Sequence, residues 1–213
     1  MKRIIHKISL FLDKYEIISI GRNNKIFIFL ILCMISGMIL GSISVGTISM
    51  EIIHKLDFLF LNDFKERINS SGLDIFISSF SSLAVFAVVT EMCALSFWGS
   101  AVIPLINFFR GLGFGITSGY LYLIYGLKGI AFYILILLPG IFISSIGFIL
   151  FSVEGIKFSI KFARKILPKG SSDELWEEFK KNIRNSGYSM IILLVSSIID
   201  TGFMAMFSRF FEF

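Results

Sequence analysis

The sequence predicts an all-α integral membrane protein with about five transmembrane helices and short amphipathic helices at the interfaces. Two observations carry this prediction. Of the 213 residues, 55% are hydrophobic and 16% are charged, whereas a soluble domain has about 25% charged residues. The mean hydropathy is +0.84, and the apolar residues fall in long runs. Because about 20 apolar residues cross a bilayer core, five such runs account for most of the chain.

Five apolar segments have the length of a membrane-crossing helix. They are expected at about residues 26–48, 74–98, 101–125, 129–153 and 188–207, within a membrane domain over 26–213. The remaining parts are a basic amphipathic segment over 1–25, an outer connection over about 50–73, and a cytoplasmic connection over 154–187. The chain therefore has little room for a soluble domain.

The positions of lysine and arginine predict the orientation, because positively charged loops are retained in the cytoplasm. Segment 1–25 has six basic residues and connection 154–187 has eight, whereas connection 50–73 has three basic and four acidic residues. Five crossings with the N-terminus inside place the two basic-rich segments in the cytoplasm and the C-terminus outside. The net charge of +5 then indicates contact with anionic lipid rather than nucleic acid.

The segments outside the spans show helical spacing of apolar residues. Segment 1–25 is typical of a basic amphipathic helix on the inner leaflet. In the cytoplasmic connection, Ser171 and Glu174 have the spacing of a capping box, and Gly187 predicts a helix end before the fifth span. The outer connection is predicted to form an amphipathic interfacial helix. Its His54 and Asp57 are too few to make a metal site.

Three ionisable residues fall inside predicted spans: Glu91, Arg110 and Asp200. Such residues are costly in a bilayer unless they are paired or hydrated, so each is a candidate functional residue. Because the second and third spans are consecutive and antiparallel, we expect Glu91 to pair with Arg110. The alternative is that Arg110 extends to the headgroups while Glu91 is neutral or faces water. Asp200 follows Ser196 and Ser197, which favours hydrogen bonding over catalysis.

Glycines recur every fourth residue on two spans, at Gly37 and Gly41 on the first and at Gly111, Gly115 and Gly119 on the third. This spacing lets two helix backbones approach closely. The pattern predicts packing within the chain, and the alternative is a face that docks a partner protein or a second copy. On the fourth span, Pro139 removes one helical hydrogen bond and predicts a kink.

The inventory of catalytic motifs is thin. The sequence has no H-E-x-x-H, no G-x-S-x-G and no P-loop, and its two histidines lie in amphipathic flanks. Cys33 and Cys93 lie in apolar runs without the spacing of a metal motif, so both are interpreted as small core residues. The sequence therefore predicts a non-enzymatic protein with no cofactor.

Several motifs, in order, resemble the stage II sporulation protein M family of endospore-forming bacteria. They are N-F-F-R-G-L-G-F-G-I-T-S-G-Y at 107–120, Y-G-L-K-G at 125–129, L-L-P-G at 137–140 and S-S-I-I-D at 196–200. The resemblance covers about residues 26–205 and depends on order and spacing more than on any single motif. The sequence departs from the family where Gly140, and not a His or Gln, follows Pro139.

The resemblance implies a platform for forespore engulfment in the bacterial cell membrane, at the sporulation septum. The implied partners are a membrane-anchored cell-wall amidase and a lytic transglycosylase, which thin septal peptidoglycan. The outer connection and the face of Gly111, Gly115 and Gly119 are the candidate partner contacts. The alternative function is a permease subunit or small-molecule transporter, in which Glu91, Arg110 and Asp200 line a pathway.

Overall fold

The computed structural model describes residues 25–47, 49, 51–53, 55, 57, 71–166 and 172–207. Five long α-helices lie in this described part: α1 (Lys25–Val45), α2 (Gly72–Ala94), α3 (Gly99–Phe132), α4 (Leu138–Ile166) and α5 (Ser172–Phe207). Residues 51–53, 55 and 57 are helical as well. A π-helical turn, Tyr133–Leu137, joins α3 to α4. The described part of the chain contains no strand, so the predicted all-α membrane fold class is confirmed.

Four helical segments are long and apolar enough to cross a membrane: Lys25–Val45, Gly72–Ala94, Gly99–Ala163 and Asn182–Phe207. The third has 65 residues and includes both the third and the fourth predicted spans. It is interrupted at Gly126, whose φ of 56° and ψ of −133° are not helical. A positive φ is strained for residues with a Cβ, which explains the glycine.

The chain reverses at this glycine, so the 65-residue segment is a helical hairpin. The Asn107 Nδ2 donates to Ser152 Oγ at 2.8 Å, and the backbone N–H of Ser100 donates to Ser159 Oγ at 3.1 Å. Residues earlier on α3 thus meet residues later on α4, which makes the two helices antiparallel. The hairpin therefore supplies two crossings, as the sequence predicted.

The remaining helices pack in alternating directions. Helix α1 lies parallel to α3, because Gly37 lies against Phe108 and Gly41 against Leu112. Helix α5 is antiparallel to α2, because Asp200 contacts Ser79 while Asn182 contacts Glu91. This alternation is the one expected of consecutive membrane crossings.

Three buried apolar clusters follow one another along the bundle. The first, near the Gly126 turn, includes Val45, Tyr120, Leu121 and Met204. The middle cluster contains Ala87, Phe148, Phe151 and Leu193, and the third contains Leu30, Ala94, Ile103 and Ile156. Large apolar side chains also cover the outside of the bundle, including Leu32, Val85, Val88, Met92 and Phe142. An apolar exterior of this extent suits contact with lipid.

The cytoplasmic connection differs from its prediction. Helix α4 continues to Ile166 and α5 begins at Ser172, so most of 154–187 is helical. The helix end predicted at Gly187 is wrong, because α5 runs through it. Ser186 and Ser189 beside it are buried, and this packing outweighs the low helix propensity of one glycine. Ser171, the Glu174 side chain, segment 1–24 and His54 lie outside the described residues.

A capping box does occur elsewhere, at the start of α2. The Ser71 Oγ accepts a hydrogen bond from the Asp74 backbone N–H, and the Asp74 carboxylate accepts from the Ser71 backbone N–H, both at 3.3 Å. These bonds satisfy two amides that a helix start leaves without partners. They define where the second span begins, two residues before the predicted position.

Candidate functional site: a glycine interface and three membrane charges

The glycines of α1 and α3 form a close backbone-to-backbone interface. A Cβ added at Gly111 or Gly115 would clash with the carbonyl oxygen of Met34 or Met38. Gly119 faces Ser42 at the same offset of 77 residues (34 to 111, 38 to 115, 42 to 119). The constant offset shows a parallel register kept over two helical turns.

Hydroxyl groups add polar contacts to this interface. The Ser42 Oγ donates to the Gly115 carbonyl oxygen at 3.0 Å and lies 3.1 Å from Ser118 Oγ. Hydrogen bonds of this kind and close backbone packing are the main sources of helix association in lipid. The prediction of packing within the chain is confirmed for Gly37, Gly41, Gly111, Gly115 and Gly119. Helix α1 covers this face within the chain, and docking of a partner there stays a prediction.

Arg110 lies at the centre of the bundle in a cage of aromatic rings. Its guanidinium carbon is 4.4 Å from the ring centroid of Phe148, 5.5 Å from that of Phe114 and 5.6 Å from that of Phe86. The residue is only 4% exposed, and none of its three guanidinium nitrogens has a hydrogen-bond partner. The rings stabilise the charge by cation–π attraction but leave its N–H donors unsatisfied.

Glu91 is held by α5 and not by Arg110. Its Oε1 accepts from Asn182 Nδ2 at 2.6 Å and its Oε2 accepts from Ser186 Oγ at 3.2 Å. The predicted Glu91–Arg110 pair is therefore not formed. The reason is depth: Arg110 lies level with Phe86, and Glu91 follows Phe86 by five residues, or about 7.5 Å along a helix.

A second carboxylate lies at the same end of the bundle, one helix away. The Glu154 Oε1 accepts from Lys157 Nζ at 3.0 Å, and its Oε2 accepts from Asn185 Nδ2 at 2.8 Å. Asn182 and Asn185 are one turn apart on α5, so α5 is bonded through them to α2 and to α4. These contacts fix the position of the fifth helix at the predicted cytoplasmic end.

Asp200 lies in the opposite half of the bundle. Its Oδ2 accepts from Ser79 Oγ at 2.7 Å, and a Cβ added at Gly140 would come within 2.8 Å of its Oδ1. Ser196 Oγ donates to the Gly140 carbonyl oxygen at 2.8 Å. The expected hydrogen bonding of Asp200 is thus present, with Ser79 as a partner. The Asp200 side chain occupies the space beside Gly140, so a larger residue after Pro139 would require that side chain to shift.

The irregularity predicted at Pro139 takes the form of the π-helical turn Tyr133–Leu137 immediately before it. The backbone N–H of Leu138 donates to the Tyr133 carbonyl oxygen, five residues earlier. Proline has no N–H and its ring crowds the carbonyl four residues before it. A wider turn relieves that crowding, and widened turns of this kind are frequent at functional sites.

Two hydrogen bonds that the sequence did not predict attach Asp57 of the outer connection to the bundle. The Asp57 Oδ1 accepts from Tyr120 Oη at 2.5 Å and from Tyr125 Oη at 2.7 Å. Tyr120 is buried and its ring meets that of Tyr125 edge to face. The sequence signals this contact only weakly, by two tyrosines near the end of a span and one acidic residue in the connection.

The three membrane charges thus lie in separate environments. Phe86, Phe148, Phe151 and Leu193 occupy the layer between the Asp200 contacts and the Glu91 contacts. No group of three or more His, Cys, Asp or Glu side chains that could hold a metal occurs among the described residues. Cys33 and Cys93 are both free and partly exposed. The arrangement provides interhelical attachment points at several depths and no continuous line of polar groups among the described residues.

Comparison with known proteins leaves the family open, since no family model, no curated protein and no solved structure matches this chain.

Proposed function

We propose that this protein is a non-enzymatic membrane platform for forespore engulfment during endospore formation. In this function it holds a membrane-anchored cell-wall amidase and a lytic transglycosylase at the septum, where they thin peptidoglycan. The proposal rests on the sequence resemblance to the stage II sporulation protein M family. Its orientation, with the N-terminus in the cytoplasm and the C-terminus outside, follows from the distribution of basic residues.

The positions of the polar contacts in the bundle favour a platform over a transporter. Glu91 bonds α2 to α5, and Asp200 bonds α5 to α2 in the other half of the bundle. The apolar cluster of Ala87, Phe148, Phe151 and Leu193 lies between them. Charged groups that serve as attachment points between helices suit a static scaffold, whereas a transporter places them around a shared substrate path near the bilayer midplane.

The outer connection is the surface on which the proposed function depends. Wall hydrolases act outside the membrane, so a partner must be met there or within the bilayer. Two tyrosine hydroxyls of α3 hold Asp57, and residues 51–53 are helical. In the proposed orientation, these contacts with the end of α3 hold the start of the connection in a defined position on the outer side.

The first test is deletion of the gene in the native host, followed by membrane-dye imaging of sporulating cells. The expected result is a polar septum that stays flat or bulges and never surrounds the forespore. Complementation with wild type should restore engulfment. Complementation with Asp57→Ala should restore it poorly, whereas the neighbouring exposed change Lys55→Ala should restore it fully. Normal engulfment in the deletion strain would refute the proposal.

A permease subunit is the second candidate, and Arg110 is the observation that favours it. A buried cation without hydrogen-bond partners at mid-membrane is typical of substrate or ion sites. Uptake of labelled small anions into vesicles that contain the purified chain would distinguish the two functions. Saturable uptake that Arg110→Gln abolishes would favour transport over the platform.

A further inference from the structure

Among the described residues, Arg110 differs from Glu91, Glu154 and Asp200 because none of its buried charged atoms makes a hydrogen bond. The guanidinium group remains protonated in proteins, and its three nitrogens are buried with no hydrogen bond. Buried charges in proteins are almost always paired, because isolated charges are strongly disfavoured in a medium of low dielectric constant. The aromatic cage lowers this penalty but supplies no negative charge.

The described acidic residues of the neighbouring helices are engaged elsewhere. Glu91 accepts from Asn182 and Ser186, and Glu154 accepts from Lys157 and Asn185. Asp200 accepts from Ser79 Oγ at 2.7 Å in the other half of the bundle. None of the described carboxylates of these helices bonds to the guanidinium group.

A second unsatisfied group lies beside Arg110. Asn107 is one helical turn earlier on α3 and is fully buried. Its Nδ2 donates to the Ile103 carbonyl oxygen at 3.0 Å and to Ser152 Oγ at 2.8 Å, whereas its Oδ1 has no partner. Residues three apart share a helix face. The two side chains together offer several donors and one acceptor, a pattern that suits a small anion with a bound water.

We propose that Arg110 and Asn107 form a binding site for a small monovalent inorganic anion between α2, α3 and α4. The anion accepts hydrogen bonds from the guanidinium N–H groups, and a water donates to Asn107 Oδ1. The position of Arg110 near the middle of the α3 span excludes a lipid headgroup as the anion. Phe86, Phe114 and Phe148 surround the guanidinium group, so the site favours a compact anion such as chloride over a large organic one.

The test is thermal unfolding of the purified full chain in detergent at chloride concentrations from about 1 mM to about 300 mM. Sodium gluconate replaces chloride to hold the ionic strength constant, because gluconate is too large for the site. A ligand that binds only the folded state raises Tm as its concentration exceeds Kd. A rise of about 5–10 °C is expected at 100 times Kd.

Matched arginine variants make the test specific. Arg110→Gln should unfold at a Tm independent of chloride, whereas Arg184→Gln, at an exposed position on α5, should keep the wild-type response. If Arg110→Gln does not fold, Arg110→Lys keeps the charge but loses the planar donors. It should then require about tenfold more chloride for the same rise. A wild-type Tm that does not depend on chloride, or an equal response in the Arg110 variants, would overturn the proposal.

Discussion

Substitution of Gly115 by Ala gives the sharpest test of the packing between α1 and α3. The added Cβ would clash with the Met38 carbonyl oxygen and would lie 2.9 Å from the Met38 Cα. Carbon atoms pack best at about 3.5–4.0 Å, so the two helices must separate by about 0.6–1 Å. The added Cβ meets backbone atoms of Met38. No side-chain rotation can therefore relieve the clash.

The cost should reach the upper end of the range for overpacked cores, about 3 kcal/mol. The matched control is Gly113→Ala on the same helix, where an added Cβ meets nothing within 4 Å. There, replacing a helical glycine should stabilise by about 0.5–1 kcal/mol. The two single-methyl changes should therefore differ by about 4 kcal/mol in the free energy of unfolding.

The assay is reversible unfolding of the purified chain in mixed micelles, followed by far-UV circular dichroism as denaturing detergent increases. A second readout is the proximity of positions 42 and 118, whose serine hydroxyls lie 3.1 Å apart, measured by crosslinking between cysteines at these positions in a background without Cys33 and Cys93. Gly115→Ala should reduce the crosslinking and Gly113→Ala should not. Equal stability and equal crosslinking of the two variants would refute the close parallel interface.

Three further predictions concern the contacts between helices and the orientation of the chain. Ser79→Ala should cost between about 0.6 kcal/mol, the average for interhelical hydrogen bonds in a membrane protein, and about 1.7 kcal/mol, their maximum. A double-mutant cycle with Asp200→Asn should recover most of this cost as coupling. Its control, Ser78→Ala, is exposed and should be neutral; a zero coupling energy would contradict the bond. Asp57→Ala should cost about 1–3 kcal/mol, because it removes a charged acceptor that the Tyr120 and Tyr125 hydroxyls share. Lys55→Ala, at an exposed ion pair with Glu51, should cost less than about 0.5 kcal/mol, and similar losses in the two variants would argue against the tyrosine contact. In a chain without native cysteines, a cysteine at Leu127 should react with an impermeant maleimide in intact cells, and one at Glu177 only after permeabilisation; the reverse result would invert the topology.

The sequence predicts the parts of this fold that depend on one helix at a time. Hydropathy alone indicates the spans, because each must match the bilayer thickness. The spacing of Gly111, Gly115 and Gly119 indicates a close-packing face, since only a residue without a side chain permits backbone contact. What the sequence could not show is that α1 is the helix that covers this face.

The contacts between charges depend on the relative depth of two helices, and a sequence carries no direct signal for depth. Arg110 and Glu91 failed to pair because a shift of about 7.5 Å separates them, although their spans are adjacent. Asn182 and Ser186 were hidden in a segment predicted to be extramembrane, so they were not considered as partners of Glu91. The continuation of α5 through Gly187 follows from tertiary packing, which overrides local propensity.

The parallel contact between α1 and α3 has a consequence for the order of events during biosynthesis. Gly37 and Gly41 of α1 meet Phe108, Leu112, Gly115 and Ile116, which are translated about 71–75 residues later, and α2 enters the membrane between them. At about 5–20 residues per second, the first span spends about 4–15 s in the bilayer before its partner is synthesised. During that interval Gly37 and Gly41 are open to other helices with small residues. During this brief period, other membrane proteins made at the same time could pack against the first span. An insertase could also shield the first span until α3 is made.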